Sequence, residues 1–206
     1  YVVDDQGSSV PGMSLAAALA TLTLRARGGG TIAVPVTAPN VFESIAAAHN
    51  GAVVRTKANL QALMQAANQP DVIMASDGNG GFIFPELHPV ADGMYAVAKL
   101  LECLVTQQTT LSRAVAAVPA YHVAQGQVEC PWELKGTVMR LLNQQYKERL
   151  SKQIDGCKIE LGKDVWVLVL PDPDRPLFHI HAQAGSAPEA RELADKYVRI
   201  VESLQD

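Results

Sequence analysis

Val72-Ile73-Met74-Ala75-Ser76-Asp77-Gly78-Asn79-Gly80-Gly81-Phe82-Ile83-Phe84 is the stretch on which the fold class turns. The apolar run Val72–Ala75 reads as a strand, Ser76–Gly81 as a glycine-rich loop, and Phe82–Phe84 as a second short strand. Upstream, Asn59–Asn68 has helical character, and Ala52–Arg55 reads as a strand. Before that, Asn40 is placed to cap a helix to about His49, with Gly51 ending it, and Thr31–Val36 reads as a buried strand. Further back, Ser14 is a candidate N-cap for a helix through Arg27, stopped by Gly28-Gly29-Gly30. Downstream, Asp92 opens a helix to about Val105. Strands and helices alternating at such short intervals predict a three-layer α/β domain with a mainly parallel sheet. Tyr1-Val2-Val3 is a short strand with nothing before it to pair with, which predicts a fragment of a longer polypeptide.

The second half follows another plan. Polar Thr106–Thr110 is the best linker candidate, so domains at 1–108 and 109–206 are expected. A short helix spans about Leu111 to Val118, then Tyr121–Val128 alternates like a strand. Pro131 sits in the first turn of a long helix to about Leu150. Cys157–Leu161, Val165–Leu170 and Leu177–Ala182 are strand-like, and Pro188 opens a last helix. Helix, consecutive strands and helix predict an α+β domain with a small antiparallel sheet and two long helices.

Composition narrows the function classes. The 206 residues are 48% hydrophobic with a formal net charge of −4, enough apolar matter for a sizeable core. The basic residues are scattered, so neither nucleic acid nor a membrane surface is expected as a partner. The longest apolar stretches, such as Ala96–Val105, carry Lys99 and Glu102 and fall short of the ~20 residues that span a bilayer. With no leader-like start, a cytoplasmic location is expected. Cys103, Cys130 and Cys157 are odd in number and widely spaced, which predicts structural thiols rather than disulfides or zinc.

Two loops carry candidate chemistry. In Ser76–Gly81, glycines let backbone approach a ligand while Asp77 and Asn79 face sugar hydroxyls; the alternative is a plain turn whose Asn and Asp tolerate positive φ. In Pro171-Asp172-Pro173-Asp174-Arg175-Pro176, three prolines and two carboxylates make a rigid hairpin connection. Arg55 and Lys57, at a strand end near the first loop, either meet an anion or are solvated. His179 and His181 share one strand face, compatible with a metal pair, but no third ligand is evident and no metal is expected. Trp132 and Trp166 read as core or domain-interface anchors.

Val54-Arg55-Thr56-Lys57, the glycine-rich loop leading into Gly81-Phe82-Ile83-Phe84, and Asp92-Gly93 opening a helix through Leu100-Leu101-Glu102 resemble the third domain of the α-D-phosphohexomutases, the phosphoglucomutase/phosphomannomutase family. Residues 165–204 follow the plan of that family's fourth domain: strand, phosphate-binding turn of Arg-Pro-Ser-Gly-Thr-Glu-Pro type, strand and terminal helix. The resemblance implies a substrate cleft among four domains. A phosphoserine and a magnesium-binding Asp-Gly-Asp-x-Asp-Arg loop would come from upstream domains. Neither motif lies in this chain, so phosphoryl transfer by it alone is not expected, no cofactor is expected within it, and Mg2+ would accompany an upstream metal loop. The expected partners are upstream domains of the same polypeptide, a hexose phosphate and a second copy of the chain.

The family's Gly-Glu-x-Ser-Gly-Gly sugar loop falls on Ser76–Gly81, with Asp77 in place of Glu and Asn79 in place of Ser. The resemblance therefore implies residual sugar binding by Asp77, Asn79, Gly80, Arg55 and Lys57. In the phosphate turn, Leu170 replaces arginine, Asp172 serine, Pro173 glycine, Asp174 threonine, Arg175 glutamate and His179 the second arginine. Asp172, Asp174, Arg175 and His179 thus mark a degenerate phosphate loop. A carboxylate ~4 Å from a phosphate costs about 4 kcal/mol at an effective dielectric of 20, the size of the lost arginine attraction. Without the N–H of a glycine at Pro173, a nest of adjacent donors is not expected. Gly-Gly-Phe-Ile-Phe-Pro-Glu (80–86) and Leu-Pro-Asp-Pro (170–173) further resemble a mutase-like region fused behind bacterial nucleotidyltransferases of the mannose-1-phosphate guanylyltransferase type. These readings lead to an assembly or sugar-phosphate-sensing module, with the C-terminal half of a working mutase as the alternative.

Overall fold

A computed structural model describes residues 1–150 and 153–205, in two compact units, Tyr1–Ala120 and Tyr121–Asp206. The first unit opens with a hairpin in which β1 (Val2–Val3) pairs with β2 (Ser9–Val10), which follows it. There follow α1 (Gly12–Arg27), β3 (Gly30–Pro35), α2 (Val41–Ala48), β4 (Gly51–Thr56), α3 (Leu60–Ala67), β5 (Val72–Ser76), β6 (Phe82–Phe84), β7 (His88–Ala91), α4 (Gly93–Thr106) and α5 (Leu111–Ala116).

Its sheet runs β4-β3-β5-β6-β7. The β3–β4 and β3–β5 pairs are parallel, and β5–β6 and β6–β7 are antiparallel. The sheet is therefore mixed, where a mainly parallel one was expected. Only the loop 77–81 separates β5 from β6, far fewer residues than the ~10–12 a parallel crossover needs, so the chain must turn back. From β3 the chain moves one way to β4 through α2, then back past β3 to β5 through α3. Right-handed crossovers in opposite directions put α2 and α3 on opposite faces, which makes the three layers. On the α3 face, Leu63, Ala66 and Ala67 pack against Ala33, Val72, Ala75 and Ile83.

Local signals fix most boundaries. Asn59 caps α3, accepting from Ala62 N–H at 2.8 Å, and Asp92 caps α4, accepting from Tyr95 N–H at 2.9 Å. Gly28, at φ 73°, ends α1 in the left-handed conformation that a Cβ disfavours. Helix α1 begins two residues before Ser14, because Pro11 (φ −60°, ψ 143°) already sets the extended-to-helical transition. Asn40 occupies the cap position of α2 without a side-chain bond to the first turn. Strand β7 escaped the sequence reading because Pro89 sits in it; as the last strand of the sheet it tolerates a missing N–H. The two compact units meet at Ala120/Tyr121, so α5 belongs with the first. Helix α5 packs on α1, and Asp5 ties it to the opening hairpin by accepting from Ser112 N–H and Oγ, each at 2.9 Å.

The second unit comprises β8 (His122–Glu129), α6 (Trp132–Gln145), a 3-10 turn (Lys147–Arg149), β9 (Cys157–Gly162), β10 (Val165–Pro171), β11 (Leu177–Ala184) and α7 (Ala187–Ser203). Its sheet is antiparallel throughout, in the order β8-β11-β10-β9. One face buries Val167, Val169, Phe178 and Ile180 against Val138 and Leu142 of α6 and Tyr197 and Val201 of α7. Helix α6 stops at Gln145, earlier than expected, where the chain tightens into the 3-10 turn. Ser186 caps α7. The α/β and α+β plan thus holds, and the β10–β11 hairpin presents residues 172–176 as its turn.

Candidate functional site

The glycine-rich loop is organised around two side chains. Buried Ser76 Oγ donates to Gly81 O (2.9 Å) and accepts from Gly78 N–H (3.2 Å). Asp77 Oδ1 accepts from the N–H groups of Asn79 (2.7 Å) and Gly81 (2.9 Å). Gly78 has φ 74°, and a Cβ there would collide with the Met13 thioether, so the start of α1 packs directly on the loop. Asn79 and Gly80 are exposed. One oxygen of Asp77 is therefore committed to the turn, while Oδ2 has no hydrogen-bond partner among the described residues.

Arg55 is engaged by the β3–α2 segment. Its five N–H donors make five hydrogen bonds: Nε to Glu43 Oε1 (2.8 Å), Nη2 to Glu43 Oε2 (2.6 Å) and Pro39 O (3.0 Å), and Nη1 to Pro35 O (3.1 Å) and Ala38 O (2.7 Å). With its side chain 13% exposed, Arg55 is a clamp binding β4 to the β3–α2 connection and helix α2, with each of its N–H donors engaged. Lys57 is exposed.

The second turn closes on itself. Asp172, 7% exposed, accepts at Oδ1 from the N–H groups of Asp174 and Arg175, both at 2.9 Å. At Oδ2 it meets Arg175 Nε (3.0 Å) and Nη2 (2.9 Å) and His179 Nε2 (2.7 Å). The His179 contact first, then the Asp174 N–H and the Arg175 groups, hold this carboxyl well below the usual carboxylate range. Adjacent backbone donors do converge here, contrary to the expectation from Pro173, because the two residues after the proline supply them. Asp174 is exposed.

Lys135, buried on α6, reaches the turn from below. Its ammonium donates to Asp172 O (2.7 Å) and to Arg175 O, and lies 3.8 Å from the Trp132 ring centroid. Trp132 is half exposed, unlike buried Trp166, and serves as a platform for that lysine rather than a core anchor. The sequence reading missed Lys135. It shares an apolar helix stripe with Val138 and Leu142 at i, i+3 and i+7, and a lysine there signals a buried polar target.

His179 and His181 line an open groove of about 220 Å³ with Gln125, Gly126 and Gln127. Gln127 Nε2 is 3.5 Å from His179 Nδ1. Burial, then the nearby His179, pulls the His181 pKa down to about 4, so its imidazole is neutral at pH 7. Among the described residues no three His, Cys, Asp or Glu side chains converge where they could hold a metal ion, and the Asp172 carboxylate is already filled by N–H donors. Cys103, Cys130 and Cys157 are free and buried, and burial raises each thiol's pKa, Cys157 to about 11.

This glycine-rich loop, on a three-layer sheet of this order, has known counterparts. The phosphoglucomutase/phosphomannomutase alpha/beta/alpha domain III pattern matches residues 11–121. The chain belongs to the phosphoglucomutase/phosphomannomutase family. It is 36% identical over 180 residues to a "Probable phosphoglucosamine mutase" of Methanopyrus kandleri, covering 86% of this chain and 40% of that protein. A protein of the same name from Thermococcus kodakarensis is 28% identical over 204 residues, 97% of this chain and 45% of that protein. The chain thus spans less than half the length of these relatives. Among solved structures, a phosphoglucomutase/phosphomannomutase family protein from Burkholderia thailandensis superposes with TM-score 0.77 at 17% identity, over 98% of this chain and 43% of that one. The Aspergillus fumigatus N-acetylphosphoglucosamine mutase, solved with GlcNAc-6P and magnesium, gives TM-score 0.70 at 16% identity, over 100% and 46%. These likenesses establish the phosphohexomutase fold across both units. None of the described helices is long and apolar enough to cross a membrane.

Proposed function

We propose that this chain is the C-terminal part of a mutase-derived protein of hexose-phosphate and nucleotide-sugar metabolism, acting as an assembly or sugar-phosphate-sensing module without phosphoryl transfer of its own. The observation that carries this reading is the Asp172 carboxylate, which takes up the Asp174 and Arg175 N–H groups, the Arg175 guanidinium and His179. A phosphate at this turn would need those same donors. The glycine-rich loop supports the sensing role, since Asp77 Oδ2 and exposed Asn79 remain for sugar hydroxyls. In the full polypeptide we place the module behind a nucleotidyltransferase of the mannose-1-phosphate guanylyltransferase type, in the cytoplasm, with nucleotidyl transfer and any Mg2+ belonging upstream. Its partners are then those upstream domains, a hexose phosphate and a second copy of the chain.

A second reading is the substrate-binding half of an active phosphohexomutase, favoured by the 36% identity to the Methanopyrus protein. Assay of the full-length protein with the 1-phosphates of glucose, mannose and glucosamine, plus Mg2+, separates them. The module reading expects turnover at background. Turnover well above background overturns it in favour of the mutase.

A further inference from the structure

We propose that His179 and His181 of β11 form a metal site: an open, two-imidazole chelate for a divalent transition-metal ion of the Zn2+ or Cu2+ class, set in the groove they share with β8. The site is independent of the module reading above.

The strand meets the first requirement, which is two rings on one side. Phe178, Ile180 and Ala182 of β11 belong to the core, so the alternation turns His179 and His181 together to the other face. Directly across on β8 stand Gln127 and Gln125, and on β10 Leu170 and Leu168. The pair therefore has buried Leu168 on one flank and, on the glutamine flank, the open groove of about 220 Å³ that both imidazoles line. Their ring centroids are 6.4 Å apart. Two imidazole nitrogens at about 2.0–2.1 Å from one tetrahedral ion bring the centroids to about 5 Å, so each ring has to shift by roughly 0.7 Å. That is a torsion change of roughly 10°, well inside one rotamer well.

The second requirement is a nitrogen lone pair facing the groove, and here Asp172 contributes. Its Oδ2 lies 2.7 Å from His179 Nε2. An ionised carboxylate only accepts, so the proton sits on Nε2 and the lone pair of the neutral ring on Nδ1. Gln127, itself a groove residue, has its Nε2 3.5 Å from that Nδ1. A carboxylate on the far nitrogen is the arrangement that fixes the orientation of ligand histidines and raises their basicity. No third His, Cys, Asp or Glu joins the two rings among the described residues, so the site is an open one. Water and the amide oxygen of Gln127, its amide turned over, complete the shell. Imidazole ligands favour Zn2+, Cu2+ and Ni2+ over Mg2+, which seeks oxygen.

The test is a calorimetric titration of the full-length protein with Zn2+ in excess Mg2+, which keeps any upstream magnesium loop filled. Saturable Zn2+ uptake is expected, and His179→Gln and His181→Gln should each weaken it at least about tenfold. Asp172→Asn should weaken it about tenfold through the orientation of His179. His88→Gln, an imidazole of the first unit, should leave it unchanged. Absence of Zn2+ uptake overturns the proposal, as does uptake that survives in either His179→Gln or His181→Gln; unchanged affinity in Asp172→Asn overturns the carboxylate's part in it. A second measurement needs no variant: with one equivalent of Cu2+, electron paramagnetic resonance should show nitrogen coupling from two imidazoles, and coupling from one or none sinks the chelate.

Discussion

The glycine-rich loop and the proline-rich turn use one device to opposite ends. In each, an aspartate accepts with Oδ1 from the N–H two residues on and from a second N–H just beyond: Asn79 and Gly81 for Asp77, Asp174 and Arg175 for Asp172. The difference lies in the other oxygen. Oδ2 of Asp172 is filled by Arg175 and His179, and the residue is 7% exposed; Oδ2 of Asp77 is left to a loop whose tip is open. The same residue type leaves one oxygen open or has both engaged according to whether the fold delivers further partners to its second oxygen.

The largest effect that sharpens this contrast is expected at Lys135, the support of the closed turn. Lys135→Met should lower stability by about 3 kcal/mol in urea unfolding, because two turn carbonyls lose a buried charged donor. A change within about 0.5 kcal/mol, as for a surface lysine, would show that the turn needs no support from below. The open loop should respond to glycine instead. Gly78→Ala should cost about 2 kcal/mol, combining the positive-φ penalty with displacement of Met13, and a neutral result would mean α1 does not pack on the loop as described.

Acid should distinguish the neighbourhood of the closed turn as well. His181 titrates at about 4 in the folded protein against 6.5 in its ordinary state, so between these values the unfolded chain binds more protons. Stability should therefore fall by about 3 kcal/mol between pH 7 and pH 4, and His181→Gln should flatten that slope. Asp172, with its lowered value, adds its own loss only below the ordinary carboxylate range near 3.8. A slope unchanged in the His181 variant would place the acid sensitivity elsewhere. The smallest effect is at Pro173, where Pro173→Ala should cost about 0.5 kcal/mol through the entropy of the unfolded chain; a loss several times larger would mean the proline does more than stiffen the turn.

Much of this was legible in the linear pattern. Asn59 and Asp92 announced the starts of α3 and α4, Gly28 the end of α1, and the apolar runs the strands flanking both loops. Asp77 and Asp172 were singled out, and each organises the backbone of its own loop. What could not be read was where each polar group sends its second bond. Arg55 was read as lying at a strand end near the glycine-rich loop, yet its donors go to Glu43 and to the carbonyls of Pro35, Ala38 and Pro39.

The sequence by itself determined the order of elements apart from β2 and β7, the two-part plan, the family and the positions of both loops. Those follow from residue spacing and turn chemistry, which act over a few residues and need no partner at a distance. Only the tertiary structure decided that the first sheet is mixed, that Arg55 is a clamp, and that Asp172 is seated against His179 with Lys135 beneath. The physical reason is that a hydrogen bond between groups far apart along the chain exists only once packing has brought them together. Lys135 and the turn carbonyls it holds, 37 and 40 residues away, are such a case, and no local periodicity encodes that pairing.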